Sequence, residues 1–431
     1  MKIFIKTYGC ALNRADSNII KSVLVSRGME IVDEIDKADV AIINTCTVKN
    51  PTEQKILYLL EKLEGKKNIV VTGCMSSANR DDIEKVAPNA SIVTATNIPK
   101  IAEAVEAAYN GGKVVFDKYS VNDRLVFLNP GKRIISEIPI SEGCLSNCTF
   151  CETRFARGAL HSFPESTIIA AIKKSVENGA KEIEITSQDI GAYGLDKGTN
   201  IARLMEKIID IEGNFKVRIG MMNPEHFGKY ASEFIEALKD DKFYKFIHLP
   251  IQSGSDKVLK EMNRNYTTKE VMEYIELIRE RLESVLLETD LIVGYPTETY
   301  KDFKETIDFT KKARFDVSNI SKFGARPHAP ASKLEQISPK EINKRSVELT
   351  REVREMQHNI NEKFIGRVQK VIITEVTERS INGRMDDYRQ VVIANSANMI
   401  EDLQSLLGTV QKAEIYGVTS HALYGRLLLN K

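Results

Sequence analysis

The first 120 residues alternate short, continuous apolar runs with segments whose apolar residues recur every three or four positions. Such runs predict buried parallel strands, and the periodic segments predict helices between them. The segments are, in order, KIFIKTY, SNIIKSVLVSRG, ADVAIINT, TEQKILYLLEKLEG and NIVVTG. Gly28 and Gly65 follow the two helical patterns, as expected of residues that end helices. Residues 1–120 are therefore predicted to form an α/β domain with a doubly wound parallel sheet.

A second alternation of strands and helices runs from about residue 133 to residue 325. Its six strand patterns are RIISEIPI, KEIEITS, KVRIGMM, YKFIHLP, LLETDLIVG and VSNISKF. A closed barrel of this type needs eight strands. The count therefore predicts an open, partial (β/α) barrel of six strands. Together with the charged helix that follows, it makes up a second domain at residues 130–363.

The last segment, residues 364–431, contains strand patterns of period two and no helical pattern. VQKVIITEVT, RMDDYRQVVIAN, TVQKAEIYGV and ALYGRLLL predict strands, and SING predicts a turn after the first of them. We expect a small antiparallel β-barrel here, a fold that often serves as a binding module.

Composition narrows the class of protein. The 61 Lys and Arg residues balance 60 Asp and Glu residues, so local patches rather than net charge must hold any nucleic acid. No apolar stretch approaches the ~20 residues of a membrane span, and MKIFIKTYGC is too short and too charged for a signal peptide. A cytoplasmic protein is predicted, in which six cysteines indicate metal binding or catalysis rather than disulfides.

Three cysteines, here called the barrel cysteines, lie within eight residues: Cys144, Cys148 and Cys151. They follow the first predicted barrel strand and are expected on a loop at the carboxyl end, where barrels place their chemistry. The C-x3-C-x2-C spacing lets three thiolates converge on one inorganic group. A 4Fe-4S cluster held in this way has one iron without a protein ligand. A zinc site with a distant fourth ligand and unrelated cysteines are the alternatives.

The other three, the sheet cysteines, lie far apart in sequence: Cys10, Cys46 and Cys74. Each follows a predicted strand of the N-terminal domain. Because parallel strands end at one edge of a sheet, we expect these thiols to meet there and to hold a second cluster. A single cysteine after a buried strand is more often a small apolar residue, which is the alternative for each one taken alone.

These motifs resemble the methylthiotransferases of the radical S-adenosylmethionine superfamily. GCLSNCTFC is similar to the superfamily signature, and TYGCALNRADS, INTCTV and VTGCM are similar to the family's N-terminal cysteine segments. The resemblance covers essentially the whole chain. It implies a 4Fe-4S cluster on the barrel cysteines, an auxiliary 4Fe-4S cluster on the sheet cysteines, and S-adenosylmethionine as methyl donor and radical source.

Four segments most resemble the archaeal and eukaryotic branch that acts on tRNA: CETRFARG, TSQDIGAYG, HLPIQSGSDKVLKEMNRNYT and DLIVGYPTET. The resemblance implies insertion of a methylthio group at C2 of N6-threonylcarbamoyladenosine beside the anticodon, with an electron donor and a sulfur source as partners. It also implies a C-terminal TRAM module that binds RNA. The chain ends in ALYGRLLLNK without the hydrophobic anchor of eukaryotic members, so no membrane association is expected. The alternatives are modification of a ribosomal-protein aspartate and a non-catalytic, metal-stabilised RNA-binding protein.

Polar residues and glycine after the barrel strands are the candidate contacts of S-adenosylmethionine: Ser187, Gln188, Arg218, Gln252, Ser253, Gly294 and Glu298. Ser253 has an alternative role as a cap or turn former, and Arg218 and Arg326 as partners of structural ion pairs. RPHAP at 326–330 departs from the RPGTP of many relatives, so substrate contacts there are not carried over. No catalytic residue is assigned.

The last segment has no excess of positive charge that would favour RNA binding. Residues 364–431 contain eight Lys and Arg and seven Asp and Glu, so net charge adds no affinity for phosphates. Tyr388, Tyr416 and Tyr424 are candidates for stacking on bases, but packing in the core is expected for at least two of them.

Overall fold

The computed structural model describes residues 1–47, 50–394 and 403–428. Its N-terminal part is a six-stranded sheet in which every pair of neighbours is parallel, in the order β2-β1-β3-β4-β5-β6. The strands are β1 (Lys2–Thr7), β2 (Glu30–Val32), β3 (Val40–Thr45), β4 (Asn68–Gly73), β5 (Ser91–Val93) and β6 (Val115–Phe116). The helices are α1 (Ala11–Ser26), α2 (Asn50–Leu63), α3 (Met75–Ala78), α4 (Arg80–Val86) and α5 (Ile101–Tyr109).

Helices cover both faces of this sheet, as the doubly wound prediction requires. Helices α1 and α5 bury their apolar sides in one core, and α2 and α4 bury theirs in another. Strand β3 is buried along its whole length, which explains its continuous apolar run. Gly28 and Gly65 follow helices α1 and α2 with φ of 76° and 71°, so their role at helix ends is confirmed.

The central part contains the six predicted parallel strands. Strands β7 (Ile135–Pro139), β10 (Glu182–Thr186) and β11 (Lys216–Ile219) form one sheet, and β12 (Phe246–His248), β13 (Leu286–Val293) and β14 (Val317–Lys322) form another. A bridge from Val217 to Phe243 joins the two sheets side by side. A hairpin of β8 (Ser141–Glu142) and β9 (His161–Ser162) encloses the barrel cysteines. The open six-stranded barrel is confirmed.

Helices α6 to α14 accompany these strands. They are α6 (Thr153–Arg157), α7 (Glu165–Glu177), α8 (Ile201–Ile209), α9 (Pro224–Phe227), α10 (Ala231–Leu238), α11 (Asp256–Glu261), α12 (Thr268–Arg281), α13 (Tyr300–Ala313) and α14 (Pro339–Glu362). No helix in the described ranges is both long enough and apolar enough to cross a membrane. One core runs through helix α1 of the N-terminal part and the barrel, so these two parts pack as one body. The predicted domain boundaries stay predictions.

The C-terminal part is a closed barrel of five strands, in the order β15-β16-β17-β19-β18. They are β15 (Val368–Val376), β16 (Ser380–Arg384), β17 (Gln390–Ala394), β18 (Val410–Val418) and β19 (Leu423–Leu427). Four neighbouring pairs are antiparallel as expected, whereas β17 and β19 are parallel. Asn395 and Leu429, which end two predicted strands, lie outside the described residues.

One predicted turn is wrong. SING lies inside β16, where Ile381 and Gly383 face the barrel core and their neighbours face outward. The turn between β15 and β16 lies just before it, where Thr377 N–H donates to the Ser380 carbonyl at 2.9 Å. A second turn follows Arg384, where Met385 N–H donates to the Arg389 carbonyl at 3.0 Å and Tyr388 has a φ of 68°. The segment RMDDYRQVVIAN is therefore not one strand.

Tyr388 at this turn docks the C-terminal barrel on the central one. Its hydroxyl lies 3.0 Å from a carboxylate oxygen of Glu184 and 3.2 Å from one of Glu182. The Tyr388 ring also packs on Tyr244, with ring centroids 4.9 Å apart. Burial raises the pKa of Tyr388, and the two carboxylates raise it further because ionisation would place a third negative charge beside them. Tyr388 thus serves packing, the role expected for at least two of the three candidate tyrosines.

We expect Tyr388→Phe to lower the free energy of unfolding by about 1–3 kcal/mol, because two buried carboxylates lose a donor. Tyr416→Phe is the matched control, since the Tyr416 side chain is 53% exposed on the same barrel. The control should change stability by less than about 0.5 kcal/mol. Urea denaturation of both variants measures the difference, and equal midpoints would contradict the docking role.

Candidate functional site

The sheet cysteines meet at the carboxyl edge of the N-terminal sheet. Cys46 and Cys74 directly follow the neighbouring strands β3 and β4, and Cys74 N–H donates to the Thr45 carbonyl at 3.0 Å. Cys10 precedes helix α1, in a loop so close to Cys46 that a Cβ on Gly9 would lie 2.8 Å from the Cys46 Sγ. The predicted convergence of these three residues on one edge is confirmed. This edge lies where the strand order reverses, between β1 and β3, which is the usual ligand site of such sheets.

Asn13 fixes the loops of this edge. Its side-chain amide donates to the carbonyl oxygens of Tyr8 and Thr45 at 2.7 and 2.8 Å, and its backbone carbonyl accepts from the Asn44 side-chain amide at 2.8 Å. Each of these partners lies one or two residues from a sheet cysteine. A single buried side chain therefore sets the spacing of two cysteine loops.

The barrel cysteines lie between strands β8 and β9. Cys144 N–H donates to the Gly158 carbonyl at 3.2 Å, and the Cys151 thiol lies 3.1 Å from the Thr153 hydroxyl. Gly143 has a φ of 74°, and a Cβ there would lie 2.1 Å from the Ala159 carbonyl oxygen. Only glycine fits this turn, which directs the chain into the cysteine loop.

The two cysteine sets are neighbours in space. The Thr47 hydroxyl lies 2.5 Å from a carboxylate oxygen of Glu152, so the residue after Cys46 contacts the residue after Cys151. Arg157, at the end of helix α6, donates from Nε to the Cys74 Sγ at 3.2 Å. Both contacts join the segment that follows the barrel cysteines to the edge that carries the sheet cysteines.

Arg157 belongs to a buried charge network. Its guanidinium contacts Asp16 at 2.9 Å and Glu142 at 3.1 Å, and Arg124 pairs with the same two carboxylates. The Arg157 and Arg124 side chains are each 1% exposed. Burial alone would lower the pKa of Arg157, but Cys74 and Asp16 outweigh it and raise that pKa. Two positive and two negative charges thus neutralise one another where the N-terminal part meets the barrel.

Each cysteine set has one arginine on a thiol. Arg264, which is 8% exposed, donates from Nη1 to the Cys148 Sγ at 3.4 Å. Burial raises the pKa of the Cys74 thiol to about 11 and that of the Cys144 thiol to about 12. The pKa of Cys74 stays raised although Arg157 lowers it. Guanidinium donors favour the thiolate form that binds metals.

Three candidate contacts of S-adenosylmethionine have a buried polar atom without a hydrogen-bond partner. One is Arg218 Nε, and the other two directly follow strand β10. Ser187 Oγ and Gln188 Oε1 are buried without a hydrogen-bond partner, and Gln188 Nε2 lies 3.5 Å from a carboxylate oxygen of Glu142. Buried polar atoms are rarely left unpaired in a finished structure. A polar ligand beside the barrel cysteines would satisfy them.

The remaining candidates are engaged by the fold. Glu298 accepts from Gly294 N–H at 3.0 Å and pairs with Arg345 of helix α14 at 2.8 Å. Ser253 Oγ lies 3.2 Å from the Thr306 hydroxyl and accepts from Ser255 N–H, as a turn former does.

Three further predicted residues also have structural partners. Arg218 stacks on the rings of Phe246 and Tyr388 at 4.9 and 5.6 Å, and Arg326 pairs with Glu53 of the N-terminal part. Gln252 has a φ of 68°, and its backbone bonds to Asp290 and Ile292. Of the stacking candidates on the C-terminal barrel, Tyr416 is exposed and Tyr424 is half-buried.

The sequence analysis gave no role to six residues of this site: Asn13, Asp16, Arg124, Glu142, Arg157 and Arg264. Four of them lie in segments that carried the family resemblance, namely Asn13 and Asp16 in TYGCALNRADS, Arg157 in CETRFARG and Arg264 in HLPIQSGSDKVLKEMNRNYT. Within residues 1–47, 50–394 and 403–428, no three Cys, His, Asp or Glu side chains are grouped closely enough to hold one metal ion.

Comparisons with known proteins identify the family. A model described as Uncharacterized protein family UPF0004 matches residues 2–95, and the Radical SAM superfamily model matches residues 138–310. A "Probable threonylcarbamoyladenosine tRNA methylthiotransferase" of Pyrococcus abyssi is 37% identical, covering 99% of this chain and 100% of the relative. The chain belongs to this methylthiotransferase family.

Other members of the methylthiotransferase family extend from archaea to human. The Archaeoglobus fulgidus relative is 39% identical over 91% of this chain and 93% of its own length. The human threonylcarbamoyladenosine tRNA methylthiotransferase is 32% identical over 99% of this chain and 74% of its own length. The resemblance inferred from the cysteine segments is confirmed.

Solved structures support the fold. The radical S-adenosylmethionine methyltransferase TsrM of Kitasatospora setae matches with a TM-score of 0.57 and 13% identity, covering 77% of this chain and 76% of that chain. The radical enzyme OxsB matches with a TM-score of 0.53 and 13% identity, covering 83% of this chain and 56% of that chain. Both likenesses concern the arrangement of strands and helices.

We expect Asp16→Asn to destabilise this methylthiotransferase by about 3–5 kcal/mol, because two buried guanidinium groups lose a shared counter-charge. Glu34→Gln is the control, since the exposed Glu34–Lys37 pair has side chains 64% and 63% exposed. That change should cost less than about 1 kcal/mol. Chemical denaturation compares the two, and a similar loss in both would contradict the network.

Proposed function

We propose that this chain inserts a methylthio group at C2 of N6-threonylcarbamoyladenosine in tRNA. Members of its family are named threonylcarbamoyladenosine tRNA methylthiotransferases. The observation that carries the proposal is the junction of the two cysteine sets, where Thr47 contacts Glu152 and Arg157 contacts Cys74. A reaction that generates a radical at one centre and delivers sulfur from another requires such neighbours.

The proposal includes two 4Fe-4S clusters, one on the barrel cysteines and one on the sheet cysteines, together with S-adenosylmethionine. The donors fit these groups: each set supplies three thiols and leaves one iron of a cluster without a protein ligand. Bound S-adenosylmethionine supplies both the methyl group and, after one-electron reduction, the radical that abstracts hydrogen from an unactivated C–H bond. Acid–base catalysis cannot activate that C–H bond, because the bond is not acidic.

The chain's own residues then bind, orient and balance charge. Arg264 and Arg157 hold thiolates of the two sets, and Ser187 and Gln188 offer unpaired polar atoms to S-adenosylmethionine. Glu298, Gly294 and Ser253 act indirectly, because they hold the loops at the strand ends in place. An electron donor and a sulfur source complete the list of partners, and the cytoplasmic location stays a prediction.

RNA binding is assigned in part to the C-terminal barrel. Tyr416 is 53% exposed there, with the Arg426 guanidinium 5.9 Å from its ring centroid. An exposed ring beside a cation suits a base and its phosphate. Tyr388 takes no part in it.

Nucleoside mass spectrometry tests the proposal. Anaerobically reconstituted enzyme, with about eight irons per chain, is incubated with reductant, sulfide, S-adenosylmethionine and tRNA that contains threonylcarbamoyladenosine. The 2-methylthio nucleoside should accumulate. An unmodified nucleoside, or modification of a ribosomal-protein aspartate instead, would contradict the assigned substrate.

Two cysteine variants act as internal controls. Cys144→Ala should abolish both cleavage of S-adenosylmethionine to 5′-deoxyadenosine and the methylthio product. Cys46→Ala should retain cleavage and lose the product, because only the auxiliary cluster is lost. Normal product from the Cys46 variant would contradict the division between the two cysteine sets.

A matched pair of arginine variants tests the charge assignment. Arg157→Lys and Arg264→Lys keep a positive charge but lose the planar fork that reaches the thiol. Because hydrogen bonds to cluster sulfur raise the reduction potential, each variant should lower the potential of its own cluster only. Redox titration followed by electron paramagnetic resonance resolves the two clusters. Equal shifts of both potentials in either variant would rule out a local contact.

A further inference from the structure

Two exposed aromatic rings form a stacked pair beside the junction of the cysteine sets. The centroids of Phe155 and His328 lie 3.7 Å apart, and their planes differ by 9°. Phe155 is 54% exposed, and His328 is exposed as well. Single exposed apolar residues are common. A pair of parallel rings that are both open to solvent is a different feature, because each ring still presents surface to a ligand.

Both rings are attached to segments that lead to the cysteines. Phe155 lies in helix α6, between Cys151 and the Arg157 that contacts Cys74. The His328 Nε2 lies 2.9 Å from the carbonyl oxygen of Ala78, the last residue of helix α3, which begins directly after Cys74. One ring is therefore fixed to the barrel side of the junction, and the other contacts the sheet side.

The proposed reaction sets a geometric condition on how the substrate is held. C2 of adenine lies on the edge of the ring, between N1 and N3, so contacts to that edge would obstruct the reacting atom. A base that has left its stack can be held by its faces instead, against an aromatic side chain. A face contact orients the ring plane and leaves the C2 edge open.

We propose that Phe155, backed by His328, is the platform on which the target purine base of the RNA substrate stacks. This proposal rests on the proposed function, because it takes an RNA base as the ligand. Phe155 touches the base, and His328 is a positioning residue that keeps the Phe155 ring in place. Stacking on an aromatic side chain is tolerant of the base's substituents, so a bulky group on N6 does not prevent it.

Fluorescence of an RNA probe tests the platform. The probe is an anticodon stem-loop with 2-aminopurine at the target position, whose emission is quenched when the base stacks on an aromatic ring. Holoenzyme and Phe155→Tyr should quench it, and Phe155→Leu should not. The dissociation constant of Phe155→Leu should rise roughly 5- to 150-fold, the range expected for one stacked base. His328→Ala should weaken the quenching, and His328→Phe should restore it.

Tyr109→Leu is the matched control. Tyr109 is 48% exposed, a fraction similar to the 54% of Phe155. It ends helix α5 and so lies at the opposite edge of the sheet from the cysteines. Its replacement should leave binding, quenching and methylthio product unchanged. Iron content and circular dichroism check that every variant is folded and loaded.

The outcomes separate the two proposals. If the wild-type enzyme binds and quenches the probe and Phe155→Leu does so equally, the platform is wrong and the proposed function stands. If the wild-type enzyme neither binds the probe nor makes methylthio product from modified tRNA, the proposed function fails and the platform with it.

Discussion

The buried pairing of Arg157 and Arg124 with Asp16 and Glu142 is the constraint on which the rest of this molecule depends. Charges removed from water are tolerated only when each one is matched, and here the matching groups come from different parts of the chain. Asp16 belongs to helix α1 of the N-terminal part, and Glu142 and Arg157 belong to the barrel. Separating the two parts would leave several charges unpaired at once. The cysteine sets on either side are therefore held at a fixed separation.

Arginine–carboxylate pairs also join other elements of the chain. Arg326 after the last barrel strand pairs with Glu53 of helix α2, and Arg345 of helix α14 pairs with Glu298. Arg389 at the turn of the C-terminal barrel contacts Asp316 at 2.8 Å. A guanidinium presents its donors in a rigid fork, so each pair fixes an orientation as well as a distance. A reaction that needs two metal centres and a macromolecular substrate in register benefits from joints of this kind.

The sequence predicted most of the fold because its strands are continuous apolar runs and its glycines end helices. It failed at SING because period two continues through Ile381 and Gly383, and a turn propensity weighs less than a place in a closed barrel. The cysteines could be grouped because the carboxyl ends of parallel strands always share an edge. The contacts of the buried arginines could not be predicted, because the partners are far apart in sequence. Arg157 and Asn13 are 144 residues apart, and Arg264 and Cys148 are 116 residues apart. Nor does a sequence reveal that Glu298 and Ser253 are already satisfied by Arg345 and Thr306.

The two arginines that contact thiols act in different electrostatic surroundings. Arg264 also contacts the Tyr266 hydroxyl and the Pro250 carbonyl, each at 2.8 Å, and forms no salt bridge within the described part of the chain. The positive charge of Arg264 therefore acts on the Cys148 thiol. Arg157 shares its charge with Asp16 and Glu142, so Cys74 receives only part of it. The same type of residue, placed once with carboxylates and once without, makes two chemically similar cysteine sets electrostatically distinct.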